Sequence, residues 1–241
     1  MSKSRLIWVR ILTALGSIPL ILGLLIASIE MFAVNTAFFQ SEYNKLDTAG
    51  SIGISQEDLT KVTEKLIGYT IDAEDNLDMQ AEIQGQMQEV FGEREKAHMV
   101  DVKALYLGAR NVRTVSLILA LLLIAAAFIV GRRAAVRVLC KSFLWVSAGF
   151  VVFVGAIAVW AAVDFTNFWI SFHHVFFAGN DLWLLDPRTD VLIQMVPEQF
   201  FSDLVTRIIV RFISIFLTLN IAAAIGLSII KRRRQAAATE A

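Results

Sequence analysis

Three histidines, His98, His173 and His174, are the side chains of this chain whose charge ordinarily changes near neutral pH. Two of them are adjacent in FWISFHHVFFAGNDLWLLDP, residues 168–187, among phenylalanines and tryptophans. On a helix, where successive residues turn by about 100°, the pair is split. His173 then lies over Thr166, Trp169, Ile170, Phe176 and Phe177, and His174 projects with Asn167 and Ser171. An imidazole among aromatic rings is partly desolvated, which favours the neutral ring that a general base needs at neutral pH. His174 reads as a solvated or headgroup-facing neighbour. His98 sits in FGEREKAHMVDVKALYLGARNVR, where helical spacing gives it a face shared with Arg94, Glu95, Asp101, Val102 and Leu105. Asp101, three residues on, is placed to accept a ring N–H and fix the tautomer, with Glu95 as a second supporting acid. On spacing alone, however, this reads first as a charged helix face carrying an incidental histidine.

Other candidate chemistry is sparse. Arg207, Arg211, Ser214 and Thr218 fall within a narrow helical arc. A charge as deep in an apolar run as Arg211 faces a partner, such as Glu30, or a wet cavity. A structural ion pair and a substrate-facing role fit it equally. Asp186, Asp190 and Glu198 are too few and too irregularly spaced for a calcium loop and suit caps and turns. The single cysteine, Cys140, has no disulfide partner. There is no H-E-x-x-H site, G-x-S-x-G elbow, P-loop or G-x-G-x-x-G, and the histidines offer no local metal-ligand spacing. The reading therefore expects no metal, no cofactor and no nucleic-acid partner.

The elements that must position these residues follow from hydropathy and charge. With 56% hydrophobic residues and a mean hydropathy of +0.62, the chain is too apolar for an ordinary soluble domain. The apolar residues form four uncharged runs, Arg10 to Glu30, Arg113 to Arg132, Lys141 to Asp164 and Arg211 to Lys231. Each is long enough to cross a hydrocarbon core of about 30 Å. Lys3, Arg5 and Arg10 precede the first run, Arg132, Arg133, Arg137 and Lys141 link the second and third, and Lys231, Arg232, Arg233 and Arg234 follow the fourth. Only one acid, Glu240, accompanies them. By the positive-inside rule these segments are cytoplasmic. The basic clusters are then topology signals, and Cys140 lies on the side opposite the histidines.

The predicted architecture is an all-α integral membrane protein of four transmembrane helices, N-in and C-in, with a small, mainly helical extracytoplasmic cap. Its parts are a cytoplasmic N-terminus (1–10), a first span (11–34), the cap (35–113), a second span (114–131), a basic cytoplasmic loop (132–141), a third span (142–163), an extracytoplasmic interfacial segment (164–205), a fourth span (206–230) and a cytoplasmic tail (231–241). The first span exceeds a signal-peptide h-region and no A-x-A site follows it, so it reads as a retained anchor. In the cap, SQEDLTKVTEKLIGYT predicts a helix with a capping-box-like start at Ser55 and Asp58. Residues 70–90 are polar and weakly periodic and carry no assignment. The helix bearing His98 meets no breaker before the second span, and the aromatic helix bearing His173 is expected at the membrane interface.

The segments EREKAHMVDVK and FHHVFFAGNDLWLLDPRTDVLIQMVPEQFF resemble the two signature blocks of a bacterial family of four-span membrane proteins, the lipoprotein intramolecular transacylases, called Lit. The blocks run E-x-x-H-x-x-D-V-K and F-H-x-x-F-F, then N-D-x-W, D-P, L-I and P-E-x-F-F. The span order matches along the whole chain. The resemblance implies an acyltransferase of the cell membrane whose partners are membrane lipids and a diacylated lipoprotein. The sn-2 acyl chain of the diacylglyceryl-cysteine moves to the cysteine's α-amino group, giving a lyso-form lipoprotein. It implies His98 and His173 as the functional pair and puts His174 on a variable position. Arg211, Arg207 and Trp183 are candidates for binding the oxyanion or the substrate. Two other readings remain at this point, a non-catalytic membrane sensor and a lipid ester hydrolase using the same histidines.

Overall fold

The computed structural model describes residues 2–239; Glu240, the acid of the C-terminal segment, lies outside them. The elements are α1 (Lys3–Ala33), α2 (Thr36–Leu46), α3 (Thr48–Ile52), α4 (Gln56–Thr70), β1 (Gln80–Ile83), β2 (Gln86–Glu89), α5 (Glu93–Gly131), α6 (Arg133–Val163), α7 (Phe165–Phe176), α8 (Val191–Met195) and α9 (Glu198–Thr239). Among the described residues, the four long helices α1, α5, α6 and α9 are each long and apolar enough to cross a membrane. The chain divides into two compact units. One, the bundle unit, comprises Met1–Ser28, Asn111–Val159 and Ile209–Ala241. The other, the globular unit, comprises Ile29–Arg110 and Trp160–Ile208.

In the bundle unit, α1 and α5 run antiparallel along a seam of small residues. A Cβ added at Gly131 would lie 2.8 Å from Val9, one at Gly16 would lie 3.1 Å from Ile124, and one at Gly23 would lie 2.6 Å from Leu117. Each step of seven along α1 is matched by a step of seven back along α5, so one register runs the length of the contact. Lipid-immersed helices gain little from hydrophobic exclusion and associate through such close backbone approach. Thr13 Oγ1 and Ser142 Oγ, 2.9 Å apart, tie α1 to α6. A second cluster, Ile21, Phe143, Phe212 and Phe216, joins α1, α6 and α9. Gly23→Leu should lower the unfolding free energy in detergent by about 1–3 kcal/mol, the usual overpacking cost. An unchanged melting temperature would show that the seam carries no packing.

The globular unit has its own core. Leu59, Val62 and Leu66 of α4 are buried with Phe38, Phe39 and Tyr43 of α2 and with Val191, Leu192, Met195 and Phe200. Residues 164–205 thus supply part of the core that residues 35–113 would lack alone. A buried aromatic of this kind is worth about 3–5 kcal/mol against alanine. The helix predicted from SQEDLTKVTEKLIGYT is α4, and Ser55 Oγ accepts the Asp58 N–H as its N-cap. The unassigned stretch contains the β1–β2 hairpin, Gln80 paired with Glu89 and Ile83 with Gln86. Its two-residue turn places Gln84 and Gly85 at φ 53° and 77°, as a type I′ turn demands. The unit is therefore helical with one small sheet. Pro197 precedes α9, which starts at Glu198, outside the apolar run that marked the fourth span.

Candidate functional site

The site lies in the globular unit and is built from the start of α5, the length of α7 and the loop that follows α7. At the start of α5, Glu95 Oε2 accepts the Gly92 N–H at 2.6 Å. This is the return half of a capping box, and glycine at the N-cap leaves the other half empty. The second oxygen, Oε1, accepts the Leu192 N–H at 2.6 Å, in the first turn of α8. One buried carboxylate therefore caps two helices and ties them together. Burial raises the Glu95 pKa, opposed by the two N–H bonds. Glu95, expected to orient His98, has both oxygens engaged by the main chain instead.

Arg94, His98 and Asp101 share one face of α5, outside the apolar 114–131 run. His98 is buried, and its Nδ1 has no hydrogen-bond partner. Its ring meets Phe177 edge-on at 5.1 Å between centroids. Burial, and then the neighbouring His173, push the His98 pKa down to about 4, with Asp101 pulling the other way. The ring is neutral at pH 7.

His173 lies near the end of α7, a helix capped by Asp164, whose side chain accepts the Asn167 N–H. His173 is buried and His174 exposed, the separation that helical spacing predicts. His173 Nδ1 lies 2.8 Å from the Trp169 carbonyl one turn back. A carbonyl can only accept, so Nδ1 carries the proton and Nε2 of the neutral ring holds the lone pair. Trp183 stacks on the ring at 4.8 Å, and Trp169 meets it edge-on at 4.7 Å. Burial lowers the His173 pKa, the Trp169 bond raises it, and His174 lowers it further. The His98 and His173 rings face each other at 6.3 Å between centroids. Two side chains far apart in sequence thus come together in one cluster of aromatic rings.

The loop after α7 is held to α5 at two points that straddle His98. Asn180 Nδ2 donates to Asp101 Oδ2 at 2.9 Å. The Arg94 guanidinium donates to the Asp181 carbonyl and lies 3.5 Å from the Asp181 carboxylate. Gly179, at φ 112°, makes the bend before them. The hydrogen bond expected between His98 and Asp101 is replaced by this clip: Asp101 reaches the loop, and His98 Nδ1 stays unpartnered. Phe177 was placed beside His173, and Asn180 and Asp181 fall in the N-D-x-W block, but their contacts with α5 were not foreseen, because helical spacing is silent on contacts between a loop and a distant helix. Of the remaining candidates, Arg207 belongs to the globular unit and Arg211 to the bundle unit, and both are exposed. Among the described residues, no group of three or more His, Cys, Asp or Glu is arranged to hold a metal ion.

Two facing imidazoles with a preset acceptor nitrogen, in a cluster of aromatic rings, are equipped to move protons to and from a bound substrate. Comparison with known proteins bears on which substrate. The chain has the fold of the membrane-integral lipoprotein intramolecular transacylase Lit from Bacillus cereus, with a TM-score of 0.76, 17% identity, and coverage of 94% of this chain and 98% of that one. A histidine-to-arginine variant of that protein aligns with a TM-score of 0.71 at 16% identity, over 95% of this chain and 94% of that one. A histidine-to-alanine variant gives 0.70 at 16%, over 94% and 96%. At these identities the likeness is one of fold. No curated protein matches the chain. The profile of one family, described as lipoprotein intramolecular transacylase Lit, matches residues 14–201, which include both histidine segments. The chain belongs to that family of membrane acyltransferases.

Proposed function

We propose that this protein moves the sn-2 acyl chain of a lipoprotein's diacylglyceryl-cysteine to the α-amino group of the same cysteine, using His173 as the general base and His98 to stabilise the oxyanion. The observation that carries the reading is the pair of buried imidazoles at 6.3 Å, one with its lone-pair nitrogen set by the main chain. The ester and the amine belong to one molecule, so the site need only hold them in an attack geometry. Such positioning is worth roughly 7 kcal/mol or more of barrier. The amine nitrogen adds to the ester carbonyl, and its proton passes to His173 Nε2. The carbonyl oxygen becomes an oxyanion, stabilised by an N–H of neutral His98. Collapse breaks the bond to the glycerol oxygen, which takes the proton back from His173 Nε2 and leaves as a hydroxyl. No acyl-enzyme forms.

The basic residues at the ends of the spans support an N-in, C-in arrangement in the cell membrane, with residues 35–113 and 164–205 and their histidines on the extracytoplasmic side. Arg207, in the same unit as the histidines, would supply a cation to the polar region of the bound lipid. Mass spectrometry of lipoprotein N-termini, from cells with and without the protein, tests the reading. Acyl transferred to the amine supports it. Acyl lost to water identifies a hydrolase, and unchanged N-termini identify a protein without this activity.

Two further results are expected. Asp101 and Asn180 are positioning residues that act together, so Asp101→Ala and Asn180→Ala should each slow transfer about tenfold, and the double variant no further. Additive losses would mean that Asp101 acts on His98 directly. The second result concerns pH. Both histidines titrate below their ordinary value, whereas an α-amino group has a pKa near 8. Between about pH 6.5 and 7.5 only the amine should limit the rate, giving a rise of about six- to eightfold across that pH unit. A steeper rise in that window would show that the histidines are still shedding protons there.

A further inference from the structure

The bundle unit carries a basic cleft that contains none of the candidate residues discussed above. At the end where α6 begins and α9 finishes lies a cleft of about 430 Å³, lined by Arg137 and Lys141 of α6 and by Lys231 and Arg234 of α9, with Leu227 and Ile230 beside them. Helical register accounts for the convergence. Arg137 and Lys141 are four apart on one helix, Lys231 and Arg234 three apart on the other, and Leu227 and Ile230 lie one turn back on the same face. Near the cleft the two helices come close, since a Cβ added at Gly226 would lie 3.5 Å from Cys140 Sγ. Among the described residues, no acid lines the cleft. Arg133, Arg232 and Arg233 suffice to mark that end of the spans as positively charged without lining this cleft. The convergence of four cations on one cavity is therefore more than a topology signal.

We infer that this cleft binds the phosphate headgroup of an anionic membrane lipid, phosphatidylglycerol or a lipid like it. Arginine offers a planar fork of donors that fits phosphate oxygens in pairs, and lysine adds point charge. The cationic side of the cleft is continuous, one turn back along α9, with its apolar side at Leu227 and Ile230, a surface for the lipid's chains. That continuity favours a lipid over free phosphate. Basic pockets between helices at a membrane face are the usual geometry of such sites. The inference is independent of the histidine chemistry.

The test uses the purified full chain in detergent, titrated with phosphatidylglycerol, phosphatidylcholine or inorganic phosphate and followed by native mass spectrometry. Phosphatidylglycerol should bind more tightly than phosphatidylcholine. Arg137→Gln with Arg234→Gln should weaken it about thirtyfold, given the usual contribution of each basic residue near anionic lipid. Arg133→Gln with Arg233→Gln removes the same charge outside the cleft and should change binding less than threefold. If the first pair does not fold, Arg137→Lys with Arg234→Lys keeps the charge but removes the forks, and should still weaken binding several-fold. Equal losses in the two glutamine pairs would reduce the effect to bulk charge and overturn the site. So would the absence of any preference for phosphatidylglycerol. Inorganic phosphate binding as tightly as the lipid would overturn the lipid assignment.

Discussion

Replacing His173 with alanine is expected to reduce acyl migration by a factor of about 10²–10⁴, the range a positioned general base supplies. The ring donates Nδ1–H to the Trp169 carbonyl, so the nitrogen left to take a proton is Nε2. Alanine removes that nitrogen together with a ring packed between Trp169, Trp183 and Phe177. His173→Gln keeps more of the volume and should lose nearly as much activity, which separates proton transfer from packing. His174→Ala is the control. His174 is exposed and meets Trp183 edge-on at 5.3 Å, so the His174→Ala protein should transfer acyl groups at close to the parental rate. Intact activity in His173→Gln would remove His173 from the reaction.

The second large effect is expected at a residue that performs no chemistry. Glu95→Ala leaves the Gly92 and Leu192 N–H groups without the carboxylate that now accepts both. Hydrogen bonds to a charged acceptor contribute about 1.5–3 kcal/mol each, so the loss in unfolding free energy should reach about 3–6 kcal/mol. The damage should spread into activity, because the same carboxylate fixes the first turn of α5, one turn before His98. Glu95→Gln retains one acceptor oxygen but turns an NH₂ toward the other N–H donor, and should fall between. Chemical unfolding in detergent measures the first effect, and transfer rates at a temperature where the variant is folded measure the second. A Glu95→Ala protein as stable as the parent would show that water replaces the carboxylate at both helix starts.

How legible these features were in the sequence depended on whether their cause was local. The four spans were readable because length and hydropathy alone determine them. The capped start of α4 was readable because Ser55 and Asp58 lie within a single turn, and the division of His173 from His174 because it needs only helical geometry. The hairpin was not. β2 is exposed at every position and β1 at every second one, so the strands have too little apolar alternation to register, and a Gln-Gly turn is a weaker signal than Asn-Gly. Asp101 was read against its nearest neighbour on the helix. Its partner Asn180 comes from another element, and no spacing rule reaches it. Glu95 was placed on the face of α5 that carries His98, but its two main-chain bonds were not foreseen, since the Leu192 N–H is not in reach until α8 is brought to it. The family motif supplied the pairing of His98 with His173, which periodicity alone could not.

The bond between His173 and the Trp169 carbonyl also bears on how such a site tolerates sequence change. Where a catalytic histidine is oriented by an aspartate, the orienting residue is a second mutational target, and its loss leaves a correctly folded but misaligned base. Here the orienting atom belongs to the main chain one turn back on the same helix. No single side-chain substitution deletes it, and any sequence that keeps α7 helical retains it. Drift at neighbouring positions can therefore alter the rings around His173 while the proton on its Nδ1 stays where it is.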